Sequence, residues 1–85
     1  MRARSFSEWK AEAVLRLLAL KAAHKGNREI QQTIDTLITK LHYLKVRDLA
    51  SFLVLLHYAA ALTDDFLSVL PTEEEIKTWF AGGEE

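Results

Sequence analysis

Residues 30–44 read Ile-Gln-Gln-Thr-Ile-Asp-Thr-Leu-Ile-Thr-Lys-Leu-His-Tyr-Leu, and this stretch decides the fold class. Ile30, Ile34, Leu37, Leu41 and Leu44 recur at alternating steps of four and three, which keeps side chains on one side of an α-helix. Ile38 lies beside that seam. Gln31, Gln32, Thr33, Asp35, Thr36, Thr39, Lys40 and Tyr43 make up the opposite, polar side. The seam is short, so it predicts packing in a bundle rather than an extended coiled coil. No alternating run bracketed by hairpin turn residues occurs anywhere in the chain, so no strand is predicted.

Toward the N-terminus, Asn27 is the predicted cap of this helix, which should run from Arg28 to about Lys45. Gly26-Asn27 also closes an earlier helix, predicted over Phe6 to Lys25. Ser5 caps it, with Glu8 three residues on to complete a capping box. This first helix has two apolar stripes. Phe6, Trp9, Ala13, Leu17 and Leu20 form one, and Ala11, Val14, Leu15, Leu18 and Ala22 form the other. Glu8, Glu12 and Arg16 divide them on one side, Lys10 and Lys21 on the other. A helix on the surface of a bundle needs one such stripe to face its core. The second predicts a deep position or a further contact surface.

Toward the C-terminus, Leu49 to Leu62 is apolar except for Ser51 and His57. A membrane span needs about 20 apolar residues, so this run predicts a core helix instead. A helix apolar nearly all round is expected to be the most buried one. It either continues through Leu70 or breaks near Thr63, and Pro71 ends it. Thr72 and Glu75 form a second capping box, with Glu73, Glu74 and Glu75 at the favourable positive end of a short last helix. Ile76, Trp79 and Phe80 anchor that helix, and Gly82-Gly83 ends it.

These elements predict an all-α fold: a small antiparallel helical bundle of three long helices plus one short C-terminal helix. The 85 residues should form a single domain, with 1–5 and 82–85 frayed. Leu17, Ile34, Leu37, Leu41, Phe52, Leu53 and Leu56 are the expected centre of the core. A domain of this size buries only roughly 60% of its unfolded surface, so its stability margin is thin.

Composition narrows the function classes. A hydrophobic fraction of 49% and a charged fraction of 27% describe a globular chain. There is no cysteine, which excludes a disulfide scaffold and a thiolate zinc site and suits a reducing, cytoplasmic location. The first residues lack the apolar stretch of a secretory signal, and no membrane association is expected. Arginine and lysine dominate residues 1–28, the middle is balanced, and carboxylates dominate residues 64–85. Such polarity brings the two ends of the chain together or steers a charged partner.

No phosphate loop, nucleophile elbow or paired-histidine metal motif is present, and neither catalysis nor a cofactor is expected. His24, His42 and His57 are too dispersed for a metal site, for which three or four ligands must converge. His57 and Asp64 would share a face of a continuous helix, but nothing near them supplies a nucleophile or an oxyanion donor. Gln32-Thr33-Ile34-Asp35-Thr36-Leu37 resembles a short run in the small helical modulators of enterobacterial nucleoid-associated proteins. Asp48-Leu49-Ala50 with Phe52 extends the likeness across a gap. It covers few residues, leaves the first helix unaccounted for, and carries no residue role onto this chain.

The remaining expectation is a non-enzymatic protein–protein interaction module, acting as a homo-oligomer or as a small helical subunit or regulator of a larger complex. Large apolar patches on a soluble chain mark partner surfaces. The expected interface residues are Trp9, Leu15, Leu18, Tyr58, Trp79 and Phe80, with Tyr43 a further exposed aromatic. The alternative is a nucleic-acid-associated regulator whose Arg2, Arg4, Lys10, Lys21 and Lys25 contact phosphates or an acidic partner.

Overall fold

The computed structural model describes residues 3–82, which are helical throughout apart from short connections. The elements are α1 (Phe6–Ala23), α2 (Arg28–Tyr43), α3 (Leu49–Ala59) and α4 (Glu73–Gly82). Two 3-10 segments, Val46–Asp48 and Asp64–Val69, lie before and after α3. The fold is all-α. Two helices are long rather than three, because the third is only 11 residues.

Both predicted capping boxes form. The Ser5 hydroxyl accepts from the Glu8 amide at 3.1 Å, and Glu8 accepts from the Ser5 amide at 2.8 Å. Thr72 and Glu75 repeat the exchange at 3.1 and 2.9 Å. Asn27 caps α2 by accepting from the Ile30 amide. Gln31 reaches back from α2 and donates to the carbonyls of Lys21 and His24, satisfying acceptors that the end of α1 leaves open.

α1 and α2 form an antiparallel hairpin. Lys21 meets Asp35 at 2.6 Å and Lys10 donates to the Leu44 carbonyl at 3.1 Å, so residue numbers rise along one helix as they fall along the other. Gly26 makes the intervening turn at a φ of 90°. A Cβ there would meet nothing within 4 Å, so the whole cost of one is backbone strain. Gly26→Ala is expected to lose about 1–2 kcal/mol in denaturant unfolding without changing the helical spectrum.

α2 stops at Tyr43 and Leu44 turns to extended backbone, so α2 and α3 meet at a tight corner. α3 ends at Ala59, and the chain resumes as the Asp64–Val69 segment. The Thr63 hydroxyl accepts from the Asp65 amide there, which settles the break near Thr63 over a continuous helix.

The core runs between these elements. Phe6, Trp9, Ala13 and Leu17 come from α1, Ile30, Ile34, Leu37 and Leu41 from α2, and Leu49, Phe52, Leu56 and Ala59 from α3. Phe66, Val69 and Trp79 close it. Of the seven expected centre residues all are buried except Leu53, which packs against the cluster half-buried. Burial of each large side chain contributes roughly 1.5–3 kcal/mol before conformational entropy is subtracted.

Two expected interface residues belong to this core. Trp9 and Trp79 are 0% exposed and unavailable to a partner. Their rings stand 5.5 Å apart, and Phe6 packs against both. Each indole N–H has a backbone acceptor at 2.9 Å, Val69 for Trp9 and Arg4 for Trp79. With both donors satisfied, burial of these large rings carries no polar penalty.

Arg4 and Ser5, expected to fray, are held in place. The Arg4 guanidinium donates to both oxygens of Glu75, at 2.7 and 2.8 Å, and its backbone amide donates to Glu75 at 2.8 Å. Glu12 accepts a further bond from Arg4 at 2.6 Å. The Arg4 side chain holds the Glu75 carboxyl down at about 2 against the opposing push of burial, with help from the Thr72 and Arg4 amides. Met1, Arg2 and residues 83–85 lie outside the described residues, so the expectations placed on Arg2, Gly83, Glu84 and Glu85 do too.

Candidate protein-binding groove

α3 contains no charged side chain between Asp48 and Asp64. It buries one side, with Leu49, Phe52, Leu56 and Ala59 facing the core. The other side is in the open. Val54 is 53% exposed and Tyr58 75%, with Leu55 and Leu62 partly uncovered beside them. α3 keeps the largest buried share of the four helices, but it is not covered nearly all round. The last helix docks through Trp79 against Phe6 and Trp9, and Val54 and Tyr58 on the outer side of α3 stay exposed.

α2 and α3 flank a groove with two shallow depressions of about 400 Å3 each. The first is lined by Thr33, Thr36 and Leu37 on α2 and by Leu55, Tyr58 and Leu62 opposite. The second is lined by Thr39, Lys40, Tyr43 and Leu44 on one side and Ser51, Phe52 and Leu55 on the other. Leu55 borders both, so they form one track. Its α3 wall is uncharged and mostly apolar, with Ser51 the exception. Its α2 wall presents threonines, which offer a methyl for packing and a hydroxyl for hydrogen bonding. Glu29 stands at one end, while Lys40 and Asp48 stand at the other.

The chain matches no protein-family model, no curated protein and no solved structure.

The other expected interface residues divide among three places. Tyr58 lines the groove. Leu15 and Leu18 are exposed on α1, and Phe80 is exposed on α4. Leu55, Val54 and Leu62 are the residues that sequence reasoning missed. Their signal was present in the charge-free run from 49 to 63, which holds more apolar surface than four helices can cover.

Three of the expected phosphate contacts, Arg4, Lys10 and Lys21, are engaged within the chain. Arg4 serves Glu75 and Glu12, and Lys21 serves Asp35. Lys10 donates to Leu44 and sits 4.9 Å over the Phe6 ring. Lys25 is exposed and makes no ion pair among the described residues. A phosphate track needs several free cations on one surface, and among the described residues of this set only Lys25 makes no such contact.

The histidines are also separate. His57 is exposed, and its Nδ1–H donates to the Leu53 carbonyl one turn back. The break after α3 removes the shared face with Asp64. Asp65 instead meets His24 Nε2 at 2.9 Å. No group of three or more metal-ligating side chains converges among the described residues. No helix among them is long and apolar enough to cross a membrane.

Proposed function

We propose that this chain is a non-enzymatic protein–protein interaction module whose α2–α3 groove receives an apolar helix of another polypeptide. The observation that carries this reading is the uncharged, uncovered outer side of α3 beside a track with one mostly apolar wall. A groove between two helices with apolar anchors along one wall is the geometry in which an amphipathic helix buries its own stripe. Tyr58 and Tyr43 supply the large, rigid contact area that dominates binding at such surfaces. The internal pairing of Arg4, Lys10 and Lys21 disfavours the nucleic-acid alternative.

A photo-cross-linking phenylalanine analogue at Tyr58, with Lys77 as the control position, tests the reading in the source cells. A discrete covalent adduct from position 58, absent from position 77 and lost on Leu55→Glu, is the expected result. Absence of any adduct from position 58 counts decisively against it.

A further inference from the structure

α4 is joined to the rest of the domain through few residues. It supplies Trp79 alone to the core cluster, whereas α1, α2 and α3 each supply four residues. Glu75 is its other buried residue. Ile76 packs half-buried against the cluster, while Glu73, Glu74, Lys77, Thr78, Phe80 and Ala81 are exposed. The ion pair of Lys77 with Glu73 lies within the helix and ties it to nothing else.

Among the described residues, the hydrogen bonds from α4 to other elements all end on Arg4. Arg4 donates to Glu75 from its backbone amide, Nε and Nη2, and its carbonyl accepts from Trp79 Nε1. The connection Leu70–Thr72 bonds only to near neighbours, Leu67 behind it and Glu75 and Ile76 ahead. Pro71 within it is buried but has no N–H to bond. The Asp64–Val69 segment before the connection is held separately, because the Val69 carbonyl accepts from Trp9 Nε1. The two indole N–H groups therefore sit on opposite sides of a hinge, with Trp9 bonded just ahead of it and Trp79 beyond it.

The balance of terms sets α4 apart from the other helices. On leaving, it gives up the burial of one large ring and the Arg4 bonds. In return its 10 residues regain conformational freedom, since a helix of that length is not stable alone in water. Release of α1, α2 or α3 forfeits four core residues instead of one. Local opening costs least where the fewest apolar contacts are buried for the residues ordered.

We infer that α4 opens as one unit about Leu70–Thr72, with Arg4 as its catch, while α1, α2, α3 and the Asp64–Val69 segment stay folded. In the open form Phe6 and Trp9 each lose Trp79 as a ring neighbour, so an aromatic surface hidden in the closed form is uncovered. Trp9 keeps its contact with Phe52 and its bond to Val69, which hold the remaining core together. Removal or engagement of the Arg4 guanidinium then sets how often that surface is presented. The device does not depend on the α2–α3 groove being a binding site.

Hydrogen exchange of the two indole N–H groups, followed by NMR at a pH where rates track the opening equilibrium, tests this on the full chain. Trp79 Nε1–H is expected to exchange roughly tenfold or more faster than Trp9 Nε1–H, to share one opening equilibrium with the bonded amides of α4, and to depend less steeply on urea. Gly26→Ala separates local from global opening. It strains the α1–α2 turn equally with α4 docked or released, so it should speed Trp9 Nε1–H about 5–30-fold and leave Trp79 Nε1–H unchanged. Arg4→Ala should speed Trp79 Nε1–H about tenfold or more, the effect of losing a charged hydrogen-bond partner. Equal protection of the two indoles in the wild-type chain overturns the inference, as does equal acceleration of both by Gly26→Ala, because α4 then leaves only when the whole domain unfolds. Rates that climb residue by residue toward Gly82 overturn it as well, since that is fraying. Unchanged Trp79 exchange in a folded Arg4→Ala chain shows that Arg4 is no catch. Should Arg4→Ala fail to fold, the wild-type and Gly26→Ala measurements still decide.

Discussion

Trp9→Ala is expected to unfold this domain or leave it barely folded at room temperature. Trp9 is fully buried, touches Phe6, Trp79 and Phe52, and ties α1 to the Asp64–Val69 segment through the Val69 carbonyl. Truncating a buried tryptophan costs about 3–5 kcal/mol, since the transfer energy is lost and the cavity does not fully collapse. A domain this small has a total stability of only about 5 kcal/mol, the low end of the usual range. Urea titration followed by helical signal reads the effect as a midpoint shifted to near zero denaturant. Trp9→Phe separates the two contributions. It keeps much of the apolar contact but leaves the Val69 carbonyl without its donor, which should cost about 1–3 kcal/mol. Equal midpoints for Trp9→Phe and the wild-type chain would show that the indole N–H contributes nothing.

The second large effect concerns Arg4 and Glu75, and it has a pH signature. Glu75 is 3% exposed and its carboxyl is held at about 2, against an ordinary value near 4.5. A carboxyl lowered in the folded state binds fewer protons there than in the unfolded chain. Its contribution to stability is therefore complete above about pH 4.5, and is lost progressively as pH falls toward 2. Glu75→Gln should lower stability at neutral pH by about 1.5–3 kcal/mol, the range for hydrogen bonds to charged groups. It should also flatten the acid limb of the stability curve between those values. Arg4→Ala removes the guanidinium and leaves a buried carboxylate without its ion-pair partner. Such a loss costs about 3–5 kcal/mol for fully buried pairs, and the low end applies here because Arg4 is partly solvated. An unaltered acid limb in Glu75→Gln would place the acid sensitivity elsewhere.

Much of this fold is legible in the residues because its signals are local. The four-three seam of α2, both capping boxes and the Asn27 cap depend on neighbours within a turn or two, and all of them form. The non-local features are legible only coarsely, as the opposite charge of the two chain ends. Arg4 and Glu75 are separated by 71 positions, and Glu75 already has a sufficient local explanation as a capping residue. The two tryptophans read as interface aromatics because the opposite charge of the two chain ends points to their meeting but does not say which rings that meeting buries. With Trp79 packed against Phe6 and Trp9, Val54 and Tyr58 on the outer side of α3 stay exposed. Apolar periodicity marks a face as greasy, but whether a neighbour covers it depends on where distant elements dock.

The closure of the core by Arg4 and Trp79 also constrains how the chain can be made. During synthesis the first helix leaves the ribosome with Phe6 and Trp9 uncovered, and their partners Val69, Glu75 and Trp79 follow only after most of the domain has been translated. These contacts span nearly the whole sequence, so closing them requires the longest loop the domain has. Through that interval the nascent helix displays two greasy stripes rather than one, a period in which a chaperone or a sister chain can reach it first.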